Sequence, residues 1–184
     1  MSKSVVLTAV GRDRVGIVAR VAAVFFELGC NLLDSSMTLL RGEFAIILMV
    51  SLPADTTVEQ LRAKIPALER ELGMNIHLRE LNDEELTESA AEGNPHIISV
   101  YGADKPGIVS GVTRELAELG VNITDVQTKY SGSRSGGNNP VFMMILEVDV
   151  PASVATAKLE QSLKSSCNSL GMDITVQALE VMEL

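Results

Sequence analysis

Gly11-Arg12-Asp13-Arg14-Val15-Gly16-Ile17-Val18 returns later in the chain as Gly102-Ala103-Asp104-Lys105-Pro106-Gly107-Ile108-Val109, at an offset of 102 − 11 = 91 residues. A repeat at fixed spacing organises everything around it. At the same offset Glu27-Leu28-Gly29-Cys30-Asn31 matches Glu118-Leu119-Gly120-Val121-Asn122, and Asp34 matches Asp125. Further on the offset becomes 142 − 44 = 98: Phe44 to Pro53 matches Phe142 to Pro151, and Gly73-Met74 matches Gly171-Met172. The second copy therefore carries 98 − 91 = 7 extra residues between Tyr130 and Phe142. That stretch, Ser131 to Pro140, is rich in Gly, Ser and Asn and reads as a mobile loop.

Each copy gives one element order. Val5 to Ala9 is an apolar strand, and Ile17, Val21, Val24, Phe25 and Leu28 recur at helical spacing up to Gly29, where a C-cap belongs. Asn31 to Leu40 is a strand, Arg41-Gly42 a tight turn, and Glu43 to Leu52 a second strand. Thr57 with Gln60, or Thr56 with Glu59, opens a helix as a capping box. Leu61, Ile65, Leu68 and Leu72 form its buried stripe, Pro66 predicts a kink, and Gly73 ends it before a strand from Asn75 to Leu81. The second copy predicts strands at Ile97 to Tyr101, Asn122 to Tyr130, Val141 to Val150 and Asp173 to Leu179, with helices from Ile108 to Leu119 and Val154 to Leu170.

The order β-α-β-β-α-β defines an α+β fold of two tandem ferredoxin-like units. Both helices then lie on one face of a four-stranded antiparallel sheet. The domains are read as 1–81 and 96–184, with the acidic, polar stretch 82–95 as linker. Ala45 to Val50 is apolar on both faces, and units of roughly 80 residues are small for independent stability. The copies are therefore expected to pack on each other and on a second chain, as a homo-oligomer.

Composition narrows the function. The formal charge of −9 repels phosphate backbones and anionic lipid, and no basic run offsets it. Aromatics are only 3% of the residues, with no Trp, so stacking platforms for bases or sugars are missing. Direct nucleic-acid and membrane binding are thus not expected. Cys30 and Cys167, with His77 and His96, lack metal-ligand spacing and read as packing residues of a reduced, cytoplasmic protein. No signal-peptide pattern follows Met1, and the apolar run from Phe44 to Val50 is too short to span a bilayer. The methionines, Met37, Met49, Met74, Met143, Met144 and Met172 among them, read as core filler.

The loops before the first helix of each copy carry the candidate site. A glycine at Gly16 and Gly107 lets a ligand approach the backbone. The first N–H groups of the helix are unpaired and sit at its partially positive end, and Arg14 or Lys105 adds a cation. A small carboxylate would be held there. Asn31 and Asn122 offer amides suited to the ammonium or carboxylate of a free amino acid. The alternative is that Asp13 and Asp104 merely cap the helix. Asp34-Ser35-Ser36 and Asp125 have no nearby His, so no catalytic group, metal or cofactor is assigned.

Asp13-Arg14-Val15-Gly16-Ile17-Val18 and Asp104-Lys105-Pro106-Gly107-Ile108-Val109, each followed by Gly-x-Asn, resemble the ACT domain, over nearly the whole chain. Leu7 to Val18 with Gly29 to Met37 is similar to the glycine cleavage system transcriptional repressor family. That resemblance implies a non-catalytic, amino-acid-sensing regulator of glycine and one-carbon metabolism. It implies glycine or serine as ligand and action through a DNA-binding regulator protein. It also implies ligand-binding positions at Asp13, Arg14, Val15, Gly16, Ile17 and Asn31, and at Asp104, Lys105, Pro106, Gly107, Ile108 and Asn122. Val15 stands where the family has Pro, whereas Pro106 keeps it. The other reading is a ligand-independent interaction module that regulates a metabolic enzyme by direct contact.

Overall fold

A computed structural model describes residues 3–82, 85, 93–131 and 140–179, with the backbone alone for Ser169. The chain divides into two compact units, Met1–Ser89 and Ala90–Leu184. The first unit contains β1 (Ser4–Arg12), α1 (Ile17–Glu27), β2 (Asn31–Leu40), β3 (Glu43–Ser51), α2 (Val58–Leu72) and β4 (Met74–Leu81). The second contains β5 (Asn94–Ala103), α3 (Ile108–Glu118), β6 (Asn122–Ser131), β7 (Val141–Val150), α4 (Thr156–Leu170) and β8 (Met172–Ala178). Each sheet is antiparallel, in the orders β2-β3-β1-β4 and β6-β7-β5-β8. This is the βαββαβ arrangement, twice.

Alternation along the central strands decides which sheet face is covered. Val5, Leu7 and Ala9 of β1 and Phe44, Ile46, Leu48 and Val50 of β3 are buried, and they meet Ile17, Val21, Val24 and Phe25 of α1. The second core repeats this with Ile98, Val100, Met144, Leu146, Val148, Ile108, Val112 and Leu116. Each fully buried Leu, Ile or Val of this kind contributes about 1.5–3 kcal/mol relative to exposure. Residues of opposite parity stay open: Val10, Ile47, Tyr101, Met143 and Ile145 are all exposed. Met74, Met144 and Met172 are core as expected, but Met37 and Met143 are at the surface: Met143 lies on the open face opposite exposed Tyr101, while Met37 sits on the edge strand, opposite buried Ile46 but left exposed.

Local signals set the ends of the elements. Arg41 and Gly42 both have positive φ, 51° and 86°, the backbone a two-residue hairpin requires. Thr57 and Gln60 form the reciprocal capping box at α2, while the Thr56 hydroxyl donates to Leu28 O at 3.0 Å. α2 runs as one helix through Pro66 and ends on Gly73 at φ 63°. α1 ends at Glu27 with Leu28 as its C-cap, one residue before Gly29. β5 starts at Asn94, three residues earlier than the alternation predicts: Pro95 opposes Asp149, and buried His96 lies within hydrogen-bond distance of Asn94 O (Nδ1, 2.8 Å) and the Thr156 hydroxyl (Nε2, 3.0 Å). In the stretch read as linker, the Glu85 carboxylate accepts from Asn82 N at 2.9 Å and pairs with Arg79. Residues 83–84 and 86–92 of that stretch, and 132–139 of the inserted loop, lie outside the described residues.

The two second helices differ at their starts. α4 begins on Ala155, which has extended φ and ψ but no side chain able to cap. Thr57→Ala is therefore expected to destabilise the first unit by about 1 kcal/mol. Ala155→Asp is expected to stabilise the second by about 0.5–1 kcal/mol, the same effect in reverse. Urea denaturation followed by circular dichroism reads both.

Candidate functional site

The two loops have the same geometry although only some of their residues match. Asp13 N donates to Gly42 O at 2.9 Å, and Asp104 N to Pro140 O at 3.0 Å. Gly16 and Gly107 are the N-cap residues of α1 and α3, both at φ 95°, and no side chain caps either helix. Asp13 and Asp104 are thus not caps; their role here is to fasten the loop through the backbone. At this φ an L side chain is strained, while a Cβ at either glycine would meet nothing within 4 Å. The strain is local, and the backbone faces open space. The first helical bonds, Arg20 N to Gly16 O and Gly111 N to Gly107 O, leave the preceding first-turn amides without intrahelical acceptors. The result is an open, positively polarised helix end in each copy.

Of the candidate residues in these loops, Asp13 to Gly16 and Asp104 to Gly107 are exposed, whereas Ile17 and Ile108 are only 2% exposed. The two isoleucine side chains belong to the cores, which leaves only their backbone N–H groups, and that of Ile17 donates to Arg14 O at 3.5 Å.

The cations do not point at the helix ends. Arg14 Nη2 donates to Glu71 O at 3.4 Å, and Lys105 Nζ donates to Leu170 O at 3.0 Å. Both lie over the C-terminal end of the second helix of their unit, where unpaired carbonyls favour positive charge. The left-handed glycines ending those helices leave the room: a Cβ on Gly73 would come 3.1 Å from Arg14 Nη2, and one on Gly171 would come 3.3 Å from Lys105 Nζ. The strand end beneath is equally tight. A Cβ on Gly11 would be 2.9 Å from Met74 Cγ, and one on Gly102 would be 2.7 Å from Met172 Sδ. Close backbone packing therefore requires glycine at both positions. In the first unit Arg20 adds a two-oxygen contact to Glu71 at 2.8 and 2.9 Å, which raises its pKa further through that hydrogen bond.

Asn31 and Asn122 are not near these loops within their own units. Asn31 opposes Ser51, at the end of β3 that opposes Ser4, while Arg12 opposes Glu43 at the other end. Nine strand residues at about 3.3 Å each span roughly 26 Å between those ends. The second unit has the same register, with Asn122 opposite Asp149 and Ala103 opposite Val141. A bound amino acid is far too short to bridge them within one unit. Adjacency in sequence to the helix exit was a misleading guide to spatial adjacency to the helix entry.

Burial pushes Cys30 and Cys167 above the ordinary thiol range, away from the reactive thiolate. Among the described residues no group of three or more His, Cys, Asp or Glu is placed to hold a metal ion, and no helix is long and apolar enough to cross a membrane.

Comparison with known proteins agrees with this architecture. The ACT domain family model matches residues 3–79 and again 94–177. The glycine cleavage system transcriptional repressor of Escherichia coli is 25% identical over 172 residues, covering 90% of this chain and 84% of that protein. A UPF0237 protein of Methanopyrus kandleri is 40% identical over 86 residues, which is 46% of this chain and 88% of the relative. A solved structure of a protein of unknown function from Galdieria sulphuraria superposes with a TM-score of 0.80 at 28% identity, over 98% of this chain and 100% of the other. With both halves matched, and the βαββαβ fold present in each, the chain belongs to the ACT-domain family and carries two ACT domains in tandem.

Proposed function

We propose that this chain is an amino-acid-sensing regulator that acts as a transcriptional repressor of glycine cleavage and one-carbon metabolism. It works in the cytoplasm through a DNA-binding regulator protein and does not touch DNA itself. The observation that carries this reading is the pair of uncapped helix ends, each presented by a left-handed glycine. Two loops with different residues hold the same backbone geometry, and that geometry suits a small carboxylate. Similarity to the Escherichia coli repressor over 90% of the chain supports the regulatory class. The charge of −9 supports a protein rather than a nucleic acid as the immediate partner.

The ligand is a free amino acid, glycine or serine. Its carboxylate accepts from the first-turn amides at Gly16–Val18 or Gly107–Val109. Its remaining polar groups are met by Asn31 or Asn122 of a neighbouring domain. The chain works as a homo-oligomer, so such neighbours exist. Regulation follows by linkage: the ligand favours one arrangement of the domains and the regulator protein favours another, so each changes the affinity of the other.

Calorimetric titration with a panel of amino acids tests this directly. Glycine or serine is expected to bind saturably, with Kd roughly micromolar to millimolar. No heat from any member of the panel would overturn the sensing role and leave an interaction module that needs no ligand. Gly16→Ala and Gly107→Ala strain the backbone at φ 95° without any steric clash. The variant in the binding domain should lose about tenfold in affinity, equal to about 1.4 kcal/mol, while the same change in a non-binding domain leaves Kd unaltered.

Asn31→Ala and Asn122→Ala alter exposed strand ends and should leave the melting temperature unchanged. At least one of them is expected to weaken binding. Wild-type affinity in both variants removes these residues from the site.

A further inference from the structure

The open sheet face of the second unit is apolar at its centre and acidic at one corner. Tyr101 of β5 opposes Met143 of β7, and Ser99 opposes Ile145. Tyr101, Met143 and Ile145 are each 40% or more exposed, on the side away from the helices. β6 has a bulge between Ile123 and Asp125, as β2 has between Leu32 and Asp34, and at its far side Asp125 stands opposite Glu147. Glu147 follows Ile145 by two residues along β7 and Asp149 follows by two more, so the three carboxylates share the open face.

Like charges directly opposite each other across a strand pair, about 5 Å apart at Cβ, destabilise a sheet. Nothing in the unit offsets this. Among the described residues the Asp125 carboxylate meets the Gln127 amide at 3.3 Å, and the carboxylates of Glu147 and Asp149 have no hydrogen bond or ion pair. Lys129, the single cation of β6, stands opposite Met143 at the other end of the face. The first unit builds the same sheet without such a corner: Asp34 opposes Met49 there, and Ser51 takes the position of Asp149. The fold itself therefore does not require the crowded acids. The charge of the whole chain is divided the same way. Residues 1–82 contain nine basic and nine acidic residues, a net of zero, whereas residues 83–184 contain six and fifteen, a net of −9.

We infer that this face docks the DNA-binding regulator protein, through a surface of that protein with an apolar centre and Lys or Arg at one end. The inference rests on the partner-mediated role proposed above and names the surface that performs it. Charge complementarity selects the occupant. A protein that binds DNA carries a surplus of Lys and Arg, and a cation set between Asp125 and Glu147 relieves their repulsion. A second copy of this chain would set acid against acid here, and a phosphate backbone or anionic lipid is repelled. An exposed aromatic ring among apolar neighbours, with charge at the rim, is also the layout of a protein interface, in which the ring anchors and the charges steer the approach.

Biolayer interferometry tests this with the full chain and the regulator protein that occupies the glycine cleavage promoter of the same organism, with and without saturating glycine. The wild type should bind, and more weakly as salt rises. Glu147→Lys should weaken binding about tenfold or more and flatten the salt dependence. Its melting temperature should hold or rise, because the change turns a like pair with Asp125 into an opposite one. Tyr101→Ala should weaken binding roughly 30-fold or more with a native circular dichroism spectrum. Met49→Lys, the matching change in the first unit, should leave Kd unaltered. Binding indifferent to Glu147→Lys and Tyr101→Ala, or weakened equally by Met49→Lys, would overturn this inference and leave the regulator as partner. A wild type that binds the regulator in neither condition would overturn both readings.

Discussion

The corner where the first strand of each unit meets the end of the second helix controls the rest of the candidate site. Gly11 and Gly102 let the strand end approach the opposing backbone within a distance that any Cβ would obstruct. A few residues on, Arg14 or Lys105 reaches across to a carbonyl at the second helix's C-terminal end. The loop between these two attachments has little freedom left, and Gly16 or Gly107 then turns it into the next helix at φ 95°. An open helix end is useful for binding only if it is held still, because ordering a flexible loop on binding costs conformational entropy. The basic residues contribute by holding the loop.

The two domains share this corner and diverge elsewhere. The first has an arginine latch, an Arg20 contact to Glu71, a capping box on α2 and an apolar outer face on α1. The second has a lysine latch, a buried His96 against Thr156, an uncapped α4 and a mixed outer face on α3, with exposed Val109 beside Thr113 and Ala117. Both copies keep the open helix end, and the first alone places a large exposed ring, Phe26, on its first helix.

Much of the fold was legible because its signals are local and were written twice. Asn31 to Leu40 has the bounds of β2, Val141 to Val150 those of β7, and the Thr57–Gln60 pair made the capping box it spelled. The site was legible only in part. Residues Asp13 to Ile17 could be picked out as a loop at a helix start, since glycine and cap chemistry are read within a few residues. Where Arg14 and Lys105 point could not, because their partners lie 57 and 65 residues away. The bulge in β2 was equally hidden, and with it the side to which Met37 turns, since parity along a strand is lost at an unmarked insertion.

The sequence by itself determined the duplication, the βαββαβ order, the loop glycines and the exclusion of a basic, nucleic-acid-like surface, all of which rest on residue type and short-range spacing. Tertiary structure alone decided that Asn31 and the loop at Asp13 stand at opposite ends of one sheet, that the loop cations serve a second helix, and that Phe26 lies beside an uncovered strand edge. The physical reason is the antiparallel register: it fixes which strand ends meet, and that pairing is a property of residues far apart in the chain.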